Sequence, residues 1–225
     1  MLSTALTFLQ DLKQNNNREW FLAHKPEYTK IKDWFDDSVL EIIHQVGKFD
    51  QSIRYLNPND CTYRMNRDMR FSPDKTPYKT HLGAILKYGG KKNGETPGYY
   101  FQITGDGRLF VGGGWYIMDG KSLFQVRTDI QKKPQALKQI LANKDFKKVF
   151  GQLSGEKLVT HPRGFSKEDP NIELLKYKHY TAFREITATD FSQEEFQNYI
   201  VQTFQALSPL VKYLRKIQAE NQAND

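Results

Sequence analysis

At Asp60 the apolar rhythm of this chain changes, and that change limits the fold more than any other feature. Before it, hydrophobic residues recur every three or four positions: Ala5, Phe8, Leu9 and Leu12, then Tyr28, Ile31, Phe35, Ile42 and Val46. These are the buried stripes of two amphipathic helices, the first entered from Ser3 as N-cap and the second beginning at Pro26 and stopping at Gly47. From Cys61 the period becomes two. Cys61, Tyr63 and Met65, then Leu82–Tyr88, then Tyr99, Phe101 and Ile103, then Leu109–Val111 read as half-buried strands joined by tight polar turns such as 105–107. Helical blocks followed by strand blocks point to α+β architecture. After Asp119 the helical period returns, His179–Ile186 supplies a late strand, and Ser192 with Glu195 forms a capping box before a last helix that Pro209 should interrupt or kink. The expected fold is an antiparallel sheet of about five or six strands packed with N-terminal and C-terminal helices, as a single domain over 1–218 with a frayed tail at 219–225.

Between the first two strands lies the segment RMNRDMRFSPDKTPYK, residues 64–79. It holds Arg64, Arg67, Arg70, Lys75 and Lys79 against Asp68 and Asp74, a net of +3 over sixteen residues, stiffened by Pro73 and Pro77. Guanidinium forks and ammonium groups on a stiff loop suit phosphate or carboxylate. The same residues can instead neutralise one another, Arg67–Asp68–Arg70 and Asp74–Lys75, as an ion network that pins the loop. If there is chemistry, Asp68 or Asp74 is the candidate base, with Lys75 or Tyr78 as partner.

Two other segments combine stiffness with exposed backbone or charge. Gly112, Gly113 and Gly114 end the strand 109–111 and read as a bulge, a close packing point or a ligand approach; the spacing of a nucleotide-binding glycine loop is absent. HPRGF, residues 161–165, brings Arg163. Together Arg67, Arg70, Lys75, Lys79, Arg163 and the backbone near Gly113 are expected to line one cleft for an anionic group, with Arg64 beside it. The five histidines show no zinc spacing, so no metal or other cofactor is expected. Cys61 sits at an inward position as a small hydrophobe. Tyr63, Tyr78, Tyr88, Tyr99, Tyr100 and Tyr116 are either stacking platforms for bases or ordinary sheet residues.

The formal net charge of +7 favours an acidic or phosphorylated partner. No run approaches the roughly 18 apolar residues of a membrane span, and the first thirteen residues lack the layout of a signal peptide; no membrane partner is expected, and the cytoplasm is the expected location. The oligomeric state is not legible. MNRDMRFSPDKTPYK, together with NNNREWF, GGGWY, HPRGF and LLKYKHY, resembles the bacterial family called domain of unknown function 2461, over roughly Ala5 to Leu214. The match runs through Arg67, Asp68, Arg70, Phe71, Asp74, Lys75, Pro77, Tyr78 and Lys79. At His81 an amide such as Asn would be expected, so that position is given no role. The resemblance implies one intact domain and no particular activity. Three functions stand in order of preference: a small phosphate- or carboxylate-bearing ligand, bound and, if there is chemistry, turned over; nucleic acid on the basic loop and tyrosine-rich sheet; an acidic protein surface docked by the loop.

Overall fold

The structure, a computed structural model, describes residues 1–70 and 72–222. Helix α1 (Leu2–Gln14) begins one residue before the expected cap, from Met1 and without a side-chain cap, and buries Ala5, Phe8, Leu9 and Leu12 as their spacing requires. Asn17 caps α2 (Arg18–Ala23) by accepting from the Trp20 N–H, and Pro26 lies in the first turn of α3 (Lys25–Gly47). After a 3₁₀ turn at Gln51–Ile53, Pro58 opens the short α4 (Pro58–Cys61). The strands are β1 (His81–Lys87), β2 (Gly98–Thr104) and β3 (Arg108–Trp115); then come α5 (Gly120–Lys132), α6 (Pro134–Ala142), α7 (Lys144–Phe150), α8 (Ile172–Leu175), β4 (Tyr180–Thr187) and α9 (Gln193–Gln222).

The fold is α+β, and its antiparallel sheet has four strands in the order β1-β2-β3-β4, not five or six. The missing strand is 61–65. Cys61 closes α4, and the next residues make only isolated bridges, Thr62 with Ala84 and Asn66 with Tyr78. Cys61 and Thr62 are both buried and Tyr63 and Arg64 both exposed, so the alternation breaks where the segment leaves the edge of β1 for the loop. The glycine run lies inside β3 rather than after it, and of the two outcomes expected at Pro209 interruption does not occur, since α9 runs on through it. Pro209 and Gln205 are both exposed, so the carbonyl that loses its donor faces solvent, while Phe204, Leu207, Leu210, Val211 and Leu214 hold the buried side. The capping box forms as read: Ser192 N–H donates to Glu195 Oε2 at 2.7 Å and Glu195 N–H to Ser192 Oγ at 3.2 Å. Of the expected frayed tail, residues 219–222 are helical and 223–225 lie outside the described residues, as does Phe71.

The chain divides into two compact units, with β2, β3, β4 and α9 contributing residues to both. In the first (1–92, 100–111, 185–202), Leu82, Ala84 and Leu86, Phe101 and Ile103, and Leu109 and Val111 form one buried face of the sheet. Helices α3 and α9 cover it: Phe35 meets Phe101 at 5.7 Å between ring centroids, Phe101 meets Phe196 at 6.0 Å, and Trp34 meets Phe196 at 6.2 Å. In the second (93–99, 112–184, 203–225), Val126, Ile130, Leu137, Phe146, Leu175 and Tyr180 are buried, and Tyr99 packs on Phe204 at 5.0 Å.

Candidate functional site

Residues 64–79 form a hairpin whose arms are zipped at the base. Arg67 N–H donates to Pro77 O at 2.9 Å and Lys79 N–H to Met65 O at 2.8 Å, which leaves the backbone of Tyr78 pointing the other way. Asn16 takes it up. Its Oδ1 accepts from Tyr78 N–H at 3.0 Å and its Nδ2 donates to Tyr78 O at 2.9 Å, as a third strand would. Tyr78 itself is buried and stacked on Phe21 at 4.0 Å, so it anchors the loop. In the sequence Asn16 belongs to NNNREWF, where neither spacing nor charge points to Tyr78. Asn16→Ala is expected to cost about 1–3 kcal/mol by leaving two part-buried backbone groups unpaired and to speed proteolysis within 68–76. Denaturant unfolding with limited proteolysis measures both, and an unchanged variant would remove Asn16 from this role.

At the tip of the hairpin two of three cations pair with its two carboxylates, and the third, Lys75, is held by a carbonyl. Arg67 lies in the middle of the tip, its Nη1 donating to Asp74 Oδ2, Thr76 Oγ1 and, at 3.3 Å, Thr76 O, with Nη2 reaching Ser72 Oγ at 3.4 Å. Asp74 also accepts from Thr76 N–H at 2.9 Å; this bond first, then the Arg67 side chain, holds its carboxyl down at about 2. Arg70 grips Asp68 with two donors, Nε at 3.0 Å and Nη2 at 2.6 Å, which keeps Asp68 below the usual carboxylate range. Lys75 donates to Met69 O at 3.1 Å. Carboxylates held this low are weak bases at neutral pH.

Apart from Lys75, the cations without an ion pair in this region lie at the hairpin's base. Arg64, Lys79 and Lys91 have no ion pair among the described residues. Lys91 donates to the carbonyls of Asn59 and Thr62, each at 2.5 Å. Lys79 is half-buried with its ammonium 5.0 Å from the centre of the Tyr63 ring, and burial first, then Arg64 and Lys91, lower its pKa. His81, at the start of β1, is likewise held below its ordinary value by burial and by Lys79. Lys79 thus sits beside two other cations, whose charge disfavours its own protonated form, with no ion pair to offset them among the described residues. Nearby along the chain, Thr80 lines an open cleft of about 430 Å³ with Lys13, Gln14, Thr104 and Arg108. Lys91 gave no signal in the sequence, where it belongs to an ordinary polar turn.

Gly113 and Arg163 belong to the second unit and the loop cations to the first. Gly113 is buried against the backbone of Gly98 and Tyr99. Arg163 is exposed in a turn where Phe165 packs on Phe124 at 5.4 Å. Cys61 is fully buried and its thiol is pushed up to about 12, chiefly by burial, so it stays protonated. Among the described residues there is no cluster of His, Cys, Asp and Glu able to hold a metal, and no helix long and apolar enough to cross a membrane.

The model of one protein family, described as a conserved hypothetical protein (DUF2461), matches residues 4–213. The chain belongs to that family. The matched span takes in Asn16, residues 64–79 and Lys91. Comparison with curated proteins gave no match, and neither did comparison with solved structures.

Proposed function

We propose that this DUF2461 protein binds a small phosphate- or carboxylate-bearing group at the base of the hairpin, through Arg64, Lys79 and Lys91, with the ion-paired tip as rigid scaffold. What carries the reading is Lys79: a half-buried ammonium with its pKa lowered by burial and two neighbouring cations, and no carboxylate partner among the described residues. Relative to the sequence-based set, Arg64 and Lys79 keep a binding role, and Arg67, Arg70 and Lys75 become the frame that holds them. An acidic side chain in place of the ligand would have removed the electrostatic cost of assembling three cations. An anion does so only when bound, which makes the cost available as affinity.

The test is a thermal-shift titration with inorganic sulfate, whose charge stays fixed near neutral pH, and with inorganic phosphate. Both should raise the melting temperature by mass action, and Lys79→Gln should weaken binding by roughly 10- to 100-fold, as for a lost charge-assisted hydrogen bond. The pH dependence has a defined sign. The Lys79 and His81 values are both lowered, so the free folded protein holds fewer protons than the unfolded chain just below the ordinary lysine and histidine values. Stability without ligand therefore rises with pH through each window. Bound sulfate favours the charged forms, so its affinity should strengthen as pH falls through the His81 range and fade as pH rises through the Lys79 range. Sulfate and phosphate shifts that survive Lys79→Gln, or that ignore pH, would place the anion elsewhere.

A further inference from the structure

The sheet face that the helices of the first unit leave uncovered carries a row of aromatic rings. Tyr100 on β2 and Phe110 on β3 lie half-buried on it beside His81 and Gln102, opposite the buried Phe101, Leu109 and Val111. The hairpin adds Tyr63, which is 37% exposed. Centroids are 6.4 Å apart from Tyr63 to Tyr100 and again 6.4 Å from Tyr100 to Phe110, with edge-to-face tilts of 61° and 67°. The row ends at the cation cluster, since the Lys79 ammonium lies against the Tyr63 ring. Tyr100 is fixed by donating its hydroxyl to Gln102 Oε1 at 2.6 Å, and burial pushes that hydroxyl up to about 12, so it stays neutral.

We infer that this face is a platform for single-stranded nucleic acid, with a backbone phosphate in the Arg64, Lys79 and Lys91 cluster and bases laid on Tyr63, Tyr100 and Phe110. The inference rests on the anion site proposed above and names its ligand. The ring spacing is nearly twice the ~3.4 Å rise between stacked bases on one strand, so each ring takes a separate base, and only an unpaired strand can splay its bases that far. A duplex keeps its bases stacked and offers the rings nothing. An acidic peptide would satisfy the cations and leave the rings unused. Aromatic rings beside uncompensated cations are the two elements that sequence-tolerant single-strand binders combine, and the net charge of +7 supplies long-range attraction.

The experiment is fluorescence anisotropy on the full chain with a labelled oligothymidylate of about twelve nucleotides, in the site-size range of such platforms, against the matching duplex and an inorganic polyphosphate of similar charge. The single strand should bind at least about tenfold more tightly than either competitor. Tyr63→Leu and Phe110→Leu should each weaken the single strand by roughly 5- to 100-fold, the worth of one stacked base, and Phe110→Leu, which does not touch the cations, should leave polyphosphate binding unchanged, which also reports that this variant folds. Lys79→Gln should lower the slope of log affinity against log salt by about 0.7, one phosphate contact. If polyphosphate or duplex binds as well as the strand, or the ring variants change nothing, the platform is wrong while the anion site stands. If none of the three polyanions binds at low salt, both fall.

Discussion

Gly114→Ala should lower the melting temperature by roughly 4–24 °C, the largest single effect expected in this protein. Gly114 has φ +119°, a region that side chains rarely adopt, and a Cβ built there would stand 2.2 Å from the Tyr180 carbonyl oxygen and 2.8 Å from the Thr181 Cα. Both obstacles are backbone atoms, so no rotamer change relieves them, and the pairing of β3 with β4 must open instead. A strained φ costs about 1–3 kcal/mol and overpacking about 1–3 kcal/mol more; for a chain of this length each kcal/mol is worth roughly 2–4 °C. Gly113 repeats the arrangement on the other side, with φ +150° and the Gly98 carbonyl oxygen 2.1 Å from the same hypothetical atom. Gly120→Ala is the control. Nothing lies within 4 Å of its Cβ position, and it opens α5, so the change should be neutral or slightly stabilising. Calorimetry on the two variants decides the matter, and equal melting temperatures would mean that the glycine run is not held by its neighbours.

Arg127→Met should cost about 2–4 kcal/mol, measured by denaturant unfolding. Arg127 projects from α5 into the second unit with only 8% of its surface exposed. It donates from Nε to Leu175 O at 2.7 Å and from Nη2 to Tyr177 O at 3.0 Å, tying the end of α8 to the chain that leads into β4. No carboxylate pairs with it among the described residues. Burial lowers its proton affinity, and the Tyr180 side chain partly restores it. Methionine fills much of the volume and spares the burial of a charge, which offsets part of the loss, but it leaves two buried carbonyls without donors. Arg127→Lys keeps the charge and loses the fork, so it should recover only part of the difference. A methionine variant as stable as the parent would show that other donors reach both carbonyls.

Arg127 also marks the boundary of what could be read in advance. Its position beside Val126 and Ile130 placed it on the buried stripe of a helix, but nothing nearby in the chain indicated that its partners would be carbonyls about fifty residues away. The candidate site divides in the same way. The dense charge of 64–79 was visible, and so was the choice between a ligand site and a self-neutralising network. The self-neutralising pairs form at the tip, Arg67 with Asp74 and Arg70 with Asp68, while Arg64 and Lys79 at the base make no ion pair among the described residues and are left for the proposed ligand. That sorting depends on the arms closing at Asn66 and Tyr78, and the closure depends on Asn16, sixty-two residues from Tyr78.

What the sequence determined by itself is what short-range physics controls. Side-chain period chose helix for 25–47 and strand for 98–104, Asn17 and the Ser192–Glu195 pair set two helix starts, and the switch of period at Asp60 made the fold α+β. Each of these turns on groups within a few residues of one another, where the covalent chain already supplies the proximity. Tertiary structure decided the rest. Whether 61–65 became a fifth strand, whether Gly112–Gly114 closed β3 or ran through it, and whether Pro209 broke α9 were settled by which backbone came to lie alongside and which face met solvent. The same holds for Lys91, an ordinary turn lysine until folding brings it near Lys79 and Arg64. Electrostatic energy depends on distance in space, and only the closed fold sets those distances.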